Sequence, residues 1–139
     1  MTNLTLAQSY LIKAKKRLRV LDVLLDEEAF SDVIREAQEL VELALKAMLR
    51  QIGIDPPKQH DVGGLLQDFR DRFDSAVAER VDRLAAVSKW LRKERELAFY
   101  GDVDFVPSSE YHREDADRAI ADARFVVDTA SMVVPLDRP

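Results

Sequence analysis

The stretch SDVIREAQELVELALKAMLRQIG, residues 31 to 53, decides the fold. Val33, Ala37, Leu40, Val41, Ala44, Leu45, Met48 and Ile52 recur at spacings of three and four, which places them on one unbroken stripe of an α-helix. Ser31 or an earlier acid supplies the N-cap, and Gly53 supplies the left-handed residue on which helices commonly end. Glu36, Glu39 and Glu42 lie off the stripe or on its border and read as solvated, with Glu42 and Lys46 forming an i,i+4 surface pair. A stripe this long has to be covered by helices with matching faces elsewhere in the chain.

Upstream, Leu4, Leu11, Ala14, Leu18, Leu21 and Leu25 give a first helix over Leu4 to Leu25, uninterrupted by proline or glycine. Its far side carries Lys13, Lys15, Lys16, Arg17 and Arg19, a solvated face that becomes a phosphate-attracting patch if it borders Arg95. Asp26, Glu27 and Glu28 form a short turn or the first turn of the next helix, where negative charge suits the helix dipole.

Downstream, Pro56 and Pro57 forbid helical hydrogen bonding and turn the chain. Asp61 then caps a short third helix through Leu65, Leu66, Phe69 and Phe73, whose first turn is weakened by Gly63 and Gly64. His60 reads as a structural hydrogen-bonding residue. Asp74 or Ser75 starts a fourth helix with Val77, Val81, Leu84, Ala85, Ser88, Leu91 and Ala98 facing inward and Glu79, Arg83, Arg92 and Glu96 facing outward. Trp90 sits between the faces, to cover the bundle or to join a subunit contact. After a loop with Val103 and Phe105 as anchors, Ser108 or Ser109 opens a fifth helix. It carries Ala116, Ala119, Ile120, Ala123, Val126, Val127, Ala130 and Val134 up to Pro135, with His112 on the solvent side near its first turn. No segment alternates with period two for long enough to be a strand. The expectation is an all-α, antiparallel bundle of four long helices plus one short one, forming a single domain over residues 1 to 139.

Composition agrees and excludes several functions. A chain of 139 residues, 47% hydrophobic and 34% charged, is long enough for one core and too short for two ordinary domains. A formal charge of -5 argues against coating nucleic acid through the overall field, so any RNA contact is local. The absence of cysteine excludes disulfides, thiolate metal sites and cysteine nucleophiles. With no basic n-region followed by an apolar run and no span of transmembrane length, the expectation is a soluble cytoplasmic protein with no membrane contact.

The candidate site is the end of the fourth helix, KWLRKERELAFYGD, residues 89 to 102. Arg95, Glu96 and Tyr100 gather where Gly101 can take the left-handed position that ends a helix. Glu96 stands one turn before Tyr100 and one turn after Arg92, so it orients the phenol or pairs with the guanidinium.

In order, these features resemble the HEPN domains (higher eukaryotes and prokaryotes nucleotide-binding). The residues that carry the resemblance are the basic first helix, Lys46 and Gly53 in the second, Pro56-Pro57 with His60-Asp61 before Leu65-Leu66, and Arg95-Glu96 with Tyr100-Gly101. The resemblance spans nearly the whole chain. It implies a helical bundle that dimerises through motif-bearing faces, and a gene placed beside a small nucleotidyltransferase in a toxin-antitoxin module. Active members of the family are metal-independent ribonucleases with an Arg, a polar residue, and a His four to six residues on. Arg95 and Glu96 match the first two positions; Tyr100, Gly101 and Asp102 stand where the histidine would. The resemblance therefore implies Arg95, Glu96 and Tyr100 as the catalytic residues, Arg95 as phosphate-binding, and no metal; Lys13 and Arg17 on the basic face of the first helix are the further phosphate-binding candidates, and no cofactor is expected. It implies a homodimer with a nucleotidyltransferase partner and a nucleotide or RNA as ligand. A divergent ribonuclease and a purely structural dimerisation domain are the alternatives. Tyrosine, with an ordinary pKa near 10, is a poor base at neutral pH, so binding without efficient cleavage is expected.

Overall fold

The computed structural model describes residues 4 to 56, 58 and 61 to 136, with residues 96 and 99 described by their main chain alone. Among them are the helices α1 (Leu6–Asp26), α2 (Phe30–Gln51), α3 (Val62–Asp68), α4 (Ser75–Ala78), α5 (Val81–Phe99), α6 (Pro107–Glu110) and α7 (Arg113–Val133), with a 3-10 turn at Arg70–Arg72 and no strand. The all-α bundle of four long helices is therefore present, and the short elements are more numerous than the sequence suggested.

Helix α2 is the axis of the molecule because it is apolar on more than one side. The expected stripe is buried from Val33 to Met48, and Ile34, Ala47 and Leu49 are buried as well. Helices α1, α5 and α7 consequently all pack on α2, whereas α5 and α7 touch each other little. Each fully buried leucine of this set contributes about 1.5–3 kcal/mol relative to exposure. Helix α1 leaves α2 through a turn at Glu27, Glu28 and Ala29 in which Glu28 adopts φ 58°, so the two helices run antiparallel. Gln8 Nε2 donates to the Pro135 carbonyl at 2.8 Å, and Arg124 meets Asp22 at 3.2 Å, so α7 also runs antiparallel to α1.

Several boundaries differ from the sequence reading. Thr5 caps α1 in a reciprocal box with Gln8, so Leu4 precedes the helix and is exposed. Ala29, not Ser31 or an acid, is the α2 N-cap and makes no side-chain cap bond, since its methyl group carries no acceptor. The fourth helix is not continuous: Asp74 caps the single turn α4, the chain breaks at Glu79 and Arg80, and α5 begins at Val81. The fifth helix starts later than Ser108 or Ser109, which lie in α6; its N-cap is His112, whose N–H donates to Asp115 at 2.8 Å. Val103 is not an anchor, being 92% exposed, while Phe105 is partly buried edge-on to Tyr111. Trp90 covers the bundle under the Arg118 guanidinium, 3.8 Å from its ring centroid. His60 lies outside the described residues.

Two glycines are fixed by geometry. A Cβ on Gly63 would fall 2.7 Å from the Ala85 Cα, so this residue lets α3 lie directly against α5. At Gly101, φ is +74° and a Cβ would meet the Phe105 carbonyl oxygen at 2.5 Å.

Candidate anion site on the outer face of α2

The end of α5 is held in place from both sides. Gly101 turns the chain into a small hairpin in which the Asp102 and Phe105 amides donate to each other's carbonyls at 2.9 and 3.0 Å. Tyr111, 6% exposed, packs under this hairpin and donates its hydroxyl to Glu94 Oε1 at 3.1 Å. Burial, and then the Glu94 charge, push the Tyr111 phenol well above its ordinary value, so it remains a donor. No feature of the sequence marked Tyr111; its role follows from the fold of the loop that precedes it.

On this fixed end Arg95 reaches sideways to α2. Its Nη2 lies 3.0 Å from Glu39 Oε1, with both side chains partly exposed. Arg17 of α1 reaches the same face of α2 from the opposite flank, 2.7 Å from Glu36 Oε1. The Glu36 hydrogen bond and charge, against desolvation and with a smaller push from the Glu39 charge, hold the Arg17 guanidinium above its ordinary value. Arg92 completes the row, 3.7 Å from Glu42 and 3.7 Å from Asp61. Arginines from α1 and α5 thus converge on acids spaced three apart on α2. Glu42 pairs with Arg92 instead of Lys46, since α5 brings a guanidinium within reach.

These pairings correct the reading of Glu36, Glu39 and Glu42 as merely solvated. The signal was in the sequence, as three acids at three-residue spacing off the apolar stripe. It could not name their partners, which lie on other helices.

The expected site residues are only partly assembled. Arg95 and Arg17 share the Glu36–Glu39 neighbourhood, and Lys13 stands one turn before Arg17 in a shallow recess with Lys16 and Val20. Tyr100 lies past the last turn of α5 and is 74% exposed. The Glu96 side chain lies outside the described residues. Chemically, the arrangement offers guanidinium forks that can exchange a carboxylate for a phosphate. Among the described residues no group of His, Asp and Glu is placed to hold a metal ion, and no helix is long and apolar enough to cross a membrane.

A helical bundle is the architecture the resemblance implied. The chain belongs to the HEPN domain family, whose model matches residues 7 to 133. It is 25% identical over 133 residues to the "Putative toxin MJ1304" of Methanocaldococcus jannaschii, covering 91% of this chain and 86% of that protein. No solved structure matches it.

Proposed function

We propose that this chain is the HEPN subunit of a two-protein, toxin-antitoxin-like module whose other member is a minimal nucleotidyltransferase, and that it holds a nucleotide or RNA phosphate at the end of α5. The observation that carries this reading is the convergence of Arg95 and Arg17 on the paired carboxylates Glu39 and Glu36. The similarity to a relative named as a toxin supports the module.

In this reading a phosphate takes the place of Glu39 on the Arg95 fork, and Arg17 and Lys13 add charge from α1. Each guanidinium is already oriented by its carboxylate, so little side-chain freedom is lost on binding. The site binds better than it cleaves. Without the motif histidine there is no evident proton acceptor for a 2′-hydroxyl, and a general base is commonly worth about 10²–10⁴ in rate. A homodimer brings two such helix ends together and widens the anion-binding surface.

The test is co-expression with the nucleotidyltransferase encoded beside the gene. Co-purification as a defined complex is expected, together with intact RNA in samples of the isolated chain. Absence of such a neighbour, or separate elution of the two proteins, would overturn the module. Efficient RNA cleavage lost in Tyr100→Phe would make the chain an enzyme instead.

A further inference from the structure

A second cluster of cations lies on the same side of α2, toward its C-terminal end, and the α5 site does not use it. Tyr10 of α1, Lys46 and Arg50 of α2, and Asp55, Pro56 and Lys58 of the following connection enclose a cleft of about 450 Å³. Three cations face one carboxylate there. Arg50 is held in position, with its guanidinium over the Tyr10 ring at 5.5 Å and its Nη2 2.9 Å from Asp55 Oδ1. Its Nε is buried and has no hydrogen-bond partner among the described residues. A buried N–H without an acceptor is costly, by about 1–3 kcal/mol, and native proteins seldom leave one so. The Asp55 side chain is 83% exposed, so it competes weakly for the guanidinium and can swing away.

Terminating α2 does not account for this cluster. Arg72 Nη1 donates to the Ile52 carbonyl at 3.0 Å, so that end already has a cationic cap from elsewhere. We infer that the cleft formed by Tyr10, Lys46, Arg50 and Lys58 is a phosphate-monoester site, separate from the Arg95 site and independent of the reading proposed for it. The phosphoryl group accepts from the Arg50 guanidinium in place of Asp55 and lies between the two lysine ammonium groups. Two negative charges match the surplus of two cations, Lys46, Arg50 and Lys58 against Asp55. A free phosphate and the phosphate of a mononucleotide share this chemistry.

The experiment follows the amide NMR shifts of Gly53 and Ile54, which adjoin the cleft, while inorganic phosphate, AMP or adenosine is added to the full chain. Phosphate and AMP should shift them in a saturable way, and adenosine should not. A shift with AMP alone would assign the site to nucleotides, and equal shifts with phosphate and AMP to the phosphoryl group itself. Arg50→Gln should weaken the response about tenfold or more. Asp55→Asn, on an exposed side chain that does not threaten the fold, should strengthen it about threefold by removing the competing carboxylate. Arg95→Ala should leave it unchanged, so failure here is distinguishable from failure at the α5 site. Absence of saturation in the wild type, equal response to adenosine, or weakening in Asp55→Asn would overturn the assignment.

Discussion

Replacing Gly101 by alanine should destabilise the protein at a turn that helps to fix the end of α5. The residue has φ +74°, where an L side chain costs about 1–2 kcal/mol. The new Cβ would also lie 2.5 Å from the Phe105 carbonyl oxygen and 2.6 Å from Pro107 Cδ, and neither atom belongs to a flexible side chain. Relief requires moving the 102–105 hairpin, whose two backbone hydrogen bonds are worth about 1 kcal/mol each. The expected total is about 2–4 kcal/mol. At about 4 °C per kcal/mol for a chain of this size, the melting temperature should fall by about 8–16 °C. The assay is thermal and urea unfolding of wild type, Gly101→Ala and Gly101→Asn. Asparagine tolerates the left-handed conformation but keeps the Cβ, so it should retain the steric part of the loss. Alanine within about 0.5 kcal/mol of the wild type would refute the reasoning.

Further consequences can be checked on the same material. Gly63→Ala should destabilise because of the 2.7 Å approach to Ala85, whereas Gly64→Ala, whose Cβ would come no closer than 3.4 Å to a neighbour, the Asp61 carboxylate, should stabilise α3 by about 0.5–1 kcal/mol in urea unfolding. Leu45→Ala, at a fully buried site, should cost about 2–5 kcal/mol, and a loss under about 0.5 would misplace the α2 core. Tyr111 has a folded pKa raised above the ordinary value of 10, so its contribution is complete below about pH 10 and is lost as pH rises toward the folded value. Stability should therefore fall above about pH 10 by up to about 1.4 kcal/mol per pH unit from this group, and Tyr111→Phe should remove that part of the slope.

The long helices were legible because their apolar residues repeat with helical period, α2 most of all. The breaks were not. Nothing in the run from Val77 to Leu84 announces the interruption at Glu79 and Arg80, since the apolar phase continues across it. Gly63 reads as a helix weakener in one dimension and as a packing contact in three. The end of α5 was visible as a cluster of residue types, with Gly101 in the expected conformation. The Glu39 and Glu36 partners of Arg95 and Arg17 arise from the lateral placement of three helices, which single-sequence periodicity does not encode.

The most direct measurement titrates a nucleotide or short RNA against wild type, Arg95→Ala and Glu39→Gln, reading the amide shifts of Leu97 through Gly101. Arg95→Ala should weaken binding about tenfold or more, and Glu39→Gln, which removes the competing carboxylate 3.0 Å from the guanidinium, should tighten it. Affinity unchanged in Arg95→Ala, or weakened in Glu39→Gln, would contradict an anion site at the end of α5.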